Sequence, residues 1–525
     1  MSPDSAATAA QQIASGYAVD GQALELGAVV VDGVADADAW VRIPLAMINR
    51  HGLVAGATGT GKTKTLQALA EQLSANGVPV LMADVKGDLS GLSRPGEPND
   101  KVTKRAAETG DDWSPSAFPT EFLSLGTAGT GVPVRATISS FGPILLSKVL
   151  GLNATQESTL GLIFHWADQN GYLLLDLKDL RSVITYLISD EGKPALKNIG
   201  GVSAPTAGVI LRALVNLEAE GGDTFFGEPE LRPEHLLRTD AQGRGMISLL
   251  ELGDQAARPV LFSTFLMWVL ADLFTLLPEV GDIDKPKLVF FFDEAHLLFT
   301  DASKAFLEQV EQTVKLIRSK GVGVFFCTQL PTDVPNSVLS QLGARIQHAL
   351  RAFTPDDQKA LSKTVRTYPK TAVYDLESAL TSLGIGEAIV TVLSEHGAPT
   401  PVAWTRLRAP RSLMGAIGDD GIRAAAQASP LWKDYGETVD RESAYEILSG
   451  KLTSGQATAP PVPRAGDDYP DSLPAEQRVH WWTRLGRWIK GLFASPAAKS
   501  FARSAGTAMG REITRGVMGT GRRRR

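Results

Sequence analysis

The residues best suited to chemistry form a glycine-rich run between an apolar stretch and an amphipathic one. Residues 56–63 match the pattern G-x-x-x-x-G-K-[ST]. Between a strand and a helix, such a loop turns its backbone N–H groups around phosphate, and the helix dipole adds positive potential. We expect Lys62 to reach the β and γ phosphates of a nucleoside triphosphate and Thr63 to bind Mg²⁺. The predicted phosphate-binding residues are Gly56, Ala57, Thr58, Gly59, Thr60, Gly61, Lys62 and Thr63.

A second chemical pair, Asp293 and Glu294, directly follows the apolar run at 288–292. An acidic residue after a buried strand lies at the carboxyl edge of a parallel sheet, where ligands bind in open α/β folds. We expect Asp293 to hold the Mg²⁺ shell and Glu294 to orient water, or accept its proton, for ATP hydrolysis. His296 has two interpretations: a histidine that lies in the core or supports the site residues from behind, or a phosphate-sensing group.

Two more polar residues follow strand-like runs. Gln329 ends the run that contains the only cysteine, Cys327, and could sense the γ phosphate. Asp84 ends the strand after the glycine loop's helix, which predicts either a role near the water or metal or a capping role in its own loop.

The elements around these residues predict an α/β fold. Strand, glycine loop, helix and strand follow one another over 51–92, which is one βαβ unit. Apolar runs at 245–252, 288–292 and 322–327 are typical of strands buried on both faces of a parallel sheet. We expect a further strand at 345–353 and a hairpin or two edge strands at 384–407. The apolar stretch 260–277, interrupted by Asp272, predicts a buried helix rather than a membrane span.

The predicted organisation has seven parts. They are a β-rich lead-in (1–50), the first half of the core (51–137), an α-helical insertion (138–240), the second half (241–410), a helical extension (411–450), a linker (451–476) and a tail (477–525). The linker has too few apolar residues to fold alone. The tail combines tryptophans with arginines and ends in four arginines. It could lie on anionic lipid, dock on the ATP-hydrolysing core, bind DNA by stacking on single-stranded bases, or remain solvated.

Composition limits the class. The 525 residues have a net charge of −6 and 43% hydrophobic residues, which indicates a globular protein whose nucleic-acid contacts must be local. A single cysteine excludes internal disulfides, and the N-terminal segment lacks signal-peptide features, so we expect a cytoplasmic protein.

Five motifs together resemble the HerA–FtsK superfamily of ring-forming ATPases, and especially its HerA-like branch: GATGTGKT, ADVKGD, FFFDEAH, CTQLP and LGARIQHALR. The resemblance covers roughly residues 50–410, and RHGLVAGATGTGKT and FFGEP are similar to bacterial YjgR-type proteins. It implies a RecA-like core, a hexamer or similar ring, and an arginine finger that acts on a neighbour's ATP. Arg345 best matches the finger's position, with Arg351 and Arg135 as alternatives.

The resemblance implies a DNA translocase or helicase-like motor. Compared with archaeal HerA, the N-terminal segment leaves little room for a β-barrel, and the helical insertion is long. A second hypothesis is a non-motor ATPase that switches a protein or membrane partner, which the acidic composition favours. A kinase would need an acceptor site that the sequence does not indicate.

Overall fold

The computed structural model describes residues 3–84, 87–219, 221–251, 259–300, 302 and 304–454. The predicted tail, and the predicted linker beyond residue 454, lie outside the described residues. The strands are β1 (Ala23–Val31), β2 (Val34–Pro44), β3 (Gly52–Ala55), β4 (Val80–Asp84), β5 (Thr120–Leu125), β6 (Val132–Val134), β7 (Ile247–Glu251), β8 (Leu288–Phe292), β9 (Val322–Thr328), β10 (Ala344–Gln347), β11 (Glu387–Thr391) and β12 (Ala403–Leu407).

One helix precedes the first strand, and the others lie between the strands and after them. They are α1 (Pro3–Ser15), α2 (Lys62–Ala75), α3 (Asp100–Thr109), α4 (Ile138–Val149), α5 (Ala154–Gln169), α6 (Leu177–Ile188), α7 (Ala204–Ala219), α8 (Pro259–Leu276), α9 (His296–Phe299), α10 (Lys304–Ile317), α11 (Asn336–Leu339), α12 (Pro355–Val365), α13 (Leu376–Ser382), α14 (Asp419–Ala428), α15 (Trp432–Tyr435) and α16 (Ala444–Ser454).

All twelve strands form one sheet in the order β2-β1-β12-β11-β10-β3-β9-β8-β4-β7-β5-β6. From β10 to β6 the neighbours are parallel, whereas β11, β12, β1 and β2 extend the sheet with antiparallel pairs. The strands β7, β8 and β9 are buried at every position, as continuous apolar runs require. The predicted α/β fold class with a mainly parallel sheet is therefore confirmed.

The outer part of the sheet differs from the prediction. β11 and β12 do form an antiparallel pair, but they are not edge strands, because β1 of the lead-in pairs with β12. β10 is also shorter than the predicted run, since it ends at Gln347. The lead-in is thus part of the central sheet and begins with a helix.

Local sequence signals explain several helices. α5 begins at Asn153, whose side chain forms the expected capping box with Gln156. α2 ends before Asn76, followed by Gly77 with a φ of +73°. Within the predicted insertion the structure has α4 to α7, and α16 continues to Ser454, past the predicted start of the linker.

The apolar stretch around Asp272 forms α8, whose residues from Phe265 to Ala271 are buried inside the protein. Among the helices that the structure describes, none combines the length and apolar character needed to cross a bilayer. The prediction of a buried helix at this position is confirmed.

A segment after β12 crosses the helix that follows the glycine loop. The buried carboxylate of Glu71, on α2, accepts hydrogen bonds from the backbone N–H groups of Arg411 and Ser412, each at 2.9 Å. Gln67, one turn earlier, donates to the Ser412 hydroxyl at 2.7 Å and to the Leu413 carbonyl at 3.0 Å. This segment fixes the outer side of α2 and thereby steadies the first turns of that helix.

Candidate functional site

The glycine loop connects β3 to α2 through backbone angles that favour glycine. Gly56, Gly59 and Gly61 have φ values of +149°, +80° and +112°. At Gly56 a Cβ would lie 2.5 Å from the Cβ of His348, so a side chain there would require the backbone to shift. The glycines therefore permit a tight loop that ends at the N-terminus of α2, where N–H groups without helical partners favour an anion.

The beginning of this loop is held by its two neighbouring strands. Gly56 donates its N–H to the carbonyl of Thr328, at the end of β9, at 3.2 Å, and Ala57 donates to the carbonyl of Ala349, just past β10, at 2.8 Å. The first two N–H groups of the loop therefore shape it. Contacts to phosphate are left to the later loop residues and the first turn of α2.

Lys62 is the first residue of α2, and its ammonium group folds back over the loop. Nζ donates to the carbonyl of Gly56 at 2.7 Å and to that of Ala57 at 3.2 Å. Thr63 follows on the same turn and is half-buried. The lysine thus lies beside the loop, with its charge paired to backbone oxygens that a phosphate oxygen could replace.

Asp293 and Glu294 lie in a turn directly after β8. Glu294 has a φ of +48°, an uncommon angle for a residue with a side chain, and its N–H donates to Oδ1 of Asp293 at 2.9 Å. The next N–H, that of Ala295, is bonded to the carbonyl of Cys327 on β9 at 2.9 Å. These contacts fix the turn, and uncommon backbone angles of this kind cluster at functional sites.

His296 contacts the predicted catalytic carboxylate. Its Nδ1 lies 3.4 Å from Oε2 of Glu294, and both side chains are about four-tenths exposed. The histidine is therefore neither a core residue nor remote from the site. It is placed to orient the Glu294 carboxylate.

The strand order brings the predicted residues to one edge. Because β3, β9, β8 and β4 are adjacent and parallel, the glycine loop, Gln329, Asp293 and Asp84 all follow carboxyl ends of neighbouring strands. Gln329 is exposed there. This set offers N–H groups and an ammonium for phosphate, and hydroxyl and carboxylate oxygens of the type that Mg²⁺ prefers.

Asp84 is almost fully buried, and its Oδ2 accepts the N–H of Leu89 at 2.7 Å. This bond matches the loop-capping interpretation, while a role near water or metal stays a prediction. Its register partner on β7 is Glu251, which sequence reasoning missed. Burial and the charges of Asp84 and Asp419 raise the pKa of Glu251 to about 9, so this carboxyl holds a proton at neutral pH.

The three arginines considered as fingers occupy different places. Arg345 is half-buried near the start of β10 and is in register with Leu53 of β3. Because the glycine loop begins three residues after Leu53, the backbone of Arg345 lies about 10 Å before the loop along the strand direction. Arg351 lies beside the loop and donates to the Thr58 carbonyl at 3.4 Å. Arg135 is 1% exposed and donates to the Tyr435 carbonyl at 3.1 Å. Arg135 is thus a buried structural residue, and its candidacy as a finger is wrong.

His348 is a further residue of the site that the sequence did not single out. Its Nε2 lies 3.0 Å from the hydroxyl of Thr65 on α2, and its N–H donates to the Ala55 carbonyl at 2.7 Å. Burial, with the nearby charge of Lys62, lowers the pKa of His348 to about 4. The backbone of His348 is therefore bonded to the end of β3, while its neutral imidazole contacts α2 behind the loop. The only signal for it was its place in the motif LGARIQHALR.

His51, directly before β3, is the basis of a stability prediction. Its Nδ1 accepts the N–H of Val324 on β9 at 3.1 Å, and its Nε2 lies 2.8 Å from the carbonyl of Val314 on α10. Both bonds are satisfied by one neutral tautomer, with the proton on Nε2. Burial lowers the pKa of His51 to about 4, so its contribution is complete above the unfolded pKa and is lost as the pH falls toward 4.

We expect His51→Asn, which tolerates the positive φ of 63°, to lower the free energy of unfolding by about 2 kcal/mol near neutral pH through its lost hydrogen bonds. Near pH 5 the difference in unfolding free energy between the two proteins should shrink by about 2 kcal/mol. At that pH His51 is protonated in the unfolded wild-type chain but stays neutral in the folded protein, which destabilises the wild type only. Denaturant unfolding of both proteins at the two pH values measures it. Because its pKa is raised, Glu251 stabilises the protein less as the pH rises, which is the opposite pH dependence. Both proteins contain Glu251, so this contribution cancels in the difference between them. A difference that stays constant with pH would disprove the buried neutral state.

The architecture is similar to that of solved structures of the conjugative coupling protein TrwB. Unbound TrwBdeltaN70, a bacterial conjugative coupling protein, matches with a TM-score of 0.50 and 16% identity over 78% of this chain and 94% of that chain. TrwB in complex with ADP and Mg²⁺ matches with a TM-score of 0.50 and 15% identity over 76% and 99% of the two chains. VirB4 of Thermoanaerobacter pseudethanolicus has a TM-score of 0.46 and 16% identity over 74% and 98%. At these identities the TrwB matches establish the fold alone.

The family follows from the sequence match. The helicase HerA-like C-terminal family matches residues 31–525, so this chain belongs to that family. The resemblance to HerA-like proteins is confirmed, and the finer assignment to the YjgR-type branch stays a prediction. None of the curated proteins matches the chain significantly.

Proposed function

We propose that this chain is an ATP-hydrolysing, HerA-like motor that acts as a DNA translocase or helicase-like ring. The observation that carries the proposal is the placement of the glycine loop and the Asp293–Glu294 turn at the same sheet edge, separated only by β9, in a chain of the HerA-like family. TrwB, whose fold this chain shares, has been solved with the ATP analogue ADPNP and with ADP and Mg²⁺. ATP and Mg²⁺ are accordingly the proposed substrate and cofactor.

In this proposal the residues have separate tasks. The later loop residues and Lys62 bind the triphosphate, while Thr63 and Asp293 hold Mg²⁺, which neutralises phosphate charge when bound. Glu294 accepts a proton from water as the water oxygen bonds to the γ phosphorus and the bond to the bridging oxygen of ADP breaks. Gln329, exposed at the next strand end, contacts the γ phosphate.

The proposed assembly is a hexamer or similar ring. In this ring Arg345, which lies three residues before the glycine loop in the register of β10 and β3, acts on the ATP of another subunit. A ring that places the sheet edge near Arg345 against a neighbour's carboxyl edge would bring the two together. The assembly therefore explains how an arginine so far from its own site could act in catalysis.

A non-motor ATPase switch is the alternative. The net charge of −6 favours it, because a DNA-tracking protein needs local positive charge to bind phosphates. The positive charge is concentrated in the sequence after residue 498, where Lys499, Arg503, Arg511, Arg515 and Arg522 to Arg525 stand with one acidic residue, Glu512. In the proposal this tail supplies salt-sensitive contacts to DNA or to anionic membrane.

The test compares ATP hydrolysis with and without DNA in the full chain and in a chain truncated after residue 475. We expect DNA to stimulate the full chain, with stimulation that falls as salt rises. Truncation should preserve basal hydrolysis and weaken binding to DNA or anionic vesicles at low salt. Co-sedimentation at two salt concentrations measures that binding.

The outcomes separate the hypotheses. Hydrolysis without DNA stimulation at any salt concentration would reject the motor and favour the switch. Loss of basal hydrolysis on truncation would show that the tail belongs to the ATPase fold. Unchanged DNA binding after truncation would assign the DNA contact to residues 1–475 rather than to the tail.

A further inference from the structure

The segment that leaves β10 runs alongside the glycine loop and places one arginine at its mouth. His348 donates its N–H to the Ala55 carbonyl, and Ala349 accepts the N–H of Ala57. Two residues further, the Arg351 guanidinium reaches the Thr58 carbonyl at 3.4 Å. The backbone of this segment is thus paired with the loop, which places an exposed, flexible cation next to the loop's third residue.

From this geometry we infer that Arg351 binds the terminal phosphate of the ATP held by its own subunit. The inference rests on the proposed ATPase function and adds a residue to that site. It also separates Arg351 from the finger role, because a residue bonded to its own loop serves its own subunit's ATP. Arg345, by contrast, lies toward the opposite sheet edge.

The contacts of Lys62 provide the physical parallel. Two cationic side chains donate hydrogen bonds to three successive carbonyls of the loop. Lys62 donates to the carbonyls of Gly56 and Ala57, and Arg351 donates to the carbonyl of Thr58. Hydrogen bonds from a cation to an anionic oxygen are shorter and stronger than those to a neutral carbonyl. An arriving triphosphate would therefore draw both cations from the backbone onto its oxygens.

Arginine suits this exchange better than lysine. Its planar guanidinium presents a fork of N–H donors that matches two phosphate oxygens, and its charge does not titrate at any working pH. The weak, exposed contact at 3.4 Å costs little to release. Arg351 is then a direct contact of the reacting group, which strengthens as negative charge shifts on the phosphate oxygens.

Binding measurements test the phosphate contact. Calorimetry is performed in the Glu294→Gln background, so that ATP is not consumed, with ATP and ADP as probes. Arg351→Ala should weaken ATP binding by roughly tenfold and leave ADP binding within about twofold, because only ATP carries the γ phosphate. The ATP affinity of Arg351→Lys should lie between those of Arg351→Ala and the protein with Arg351 intact. Arg366→Ala, which removes an exposed arginine at the end of α12, is the matched control and should change neither affinity.

Subunit mixing tests whether the contact lies within one subunit. In the active background Arg351→Ala should slow hydrolysis by roughly 10²-fold or more, and Glu294→Gln subunits should not restore it. Restoration would mean that a neighbour supplies Arg351 and would overturn the inference. Equal losses of ATP and ADP affinity would also overturn it, as they would indicate a damaged loop. Failure of the wild-type chain to bind or hydrolyse ATP would instead reject the proposed function itself.

Discussion

Replacing Glu294 with glutamine is expected to lower ATP hydrolysis by roughly 10²- to 10⁴-fold while ATP binding is retained. The amide keeps the size of the side chain but cannot accept a proton from water. The backbone turn should survive, because it depends on the Asp293 carboxylate and on the Ala295 N–H rather than on the Glu294 side chain. Steady-state hydrolysis and equilibrium binding of ATP measure the two properties separately.

Lys62→Ala provides the contrast. Removing the ammonium that contacts the loop carbonyls should weaken ATP binding itself, so the two variants must differ in affinity. Glu308→Gln, at an exposed position on α10, is the matched control for the change of a carboxylate to an amide. If Glu294→Gln hydrolysed ATP at the wild-type rate, the catalytic assignment would be wrong.

Arg345→Ala is expected to bind ATP normally and to hydrolyse it more slowly by roughly 10³-fold or more, the range that arginine fingers contribute. The physical reason is distance within the subunit. Arg345 lies three residues before the glycine loop in the register of β10 and β3, and in the proposed ring its charge acts on the phosphates of a neighbouring subunit. Adding Glu294→Gln subunits should partly restore turnover, because such a subunit supplies Arg345 to a partner that keeps Glu294.

Two observations would contradict this assignment. A strictly monomeric protein with full activity would leave no neighbour for the finger to serve. Arg345→Ala with wild-type turnover would show that another group performs this task. Arg423→Ala, an exposed arginine on α14 that pairs with Asp420, is the control for removing surface charge. Mass measurement in solution with and without ATP determines the assembly state alongside the rates.

Contacts beyond the nucleotide edge connect these assignments to the rest of the chain. Lys148, on α4, donates to the carbonyl of Thr300 at the end of α9, the short helix that follows Glu294. Glu71 joins α2 to the segment after β12. Both halves of the candidate site are therefore bonded to other elements, the first half to the segment after β12 and the second to α4.

The glycine loop, β8 and the start of α5 could be predicted from the sequence because each depends on residues close together in the chain. A glycine loop needs its residue types at fixed spacing, so residues 56–63 could be located from the sequence. The continuous apolar run before Asp293 predicted the bounds of β8, and Asn153 with Gln156 predicted the start of α5. In each case the pattern and the structure depend on neighbours within a few positions.

Long-range pairing was not readable in the same way. The alternation in residues 1–50 predicted strands but not their partner, and β1 pairs with β12 across almost 380 positions. Arg135 could not be distinguished from an exposed arginine until its burial against the Tyr435 carbonyl was known. His51 and His348 each looked like ordinary polar residues, although each is buried and joins separate elements.

By itself, the sequence determined which groups are suited to binding phosphate, which carboxylates follow a buried strand, and which family the chain belongs to. The tertiary structure alone decided which of these groups meet. It placed Arg351 beside its own loop and Arg345 toward the far edge, although only five residues separate them in the sequence. The physical reason is that a parallel strand carries its two ends to opposite edges of the sheet, so the position of a charge depends on strand direction and pairing rather than on residue type.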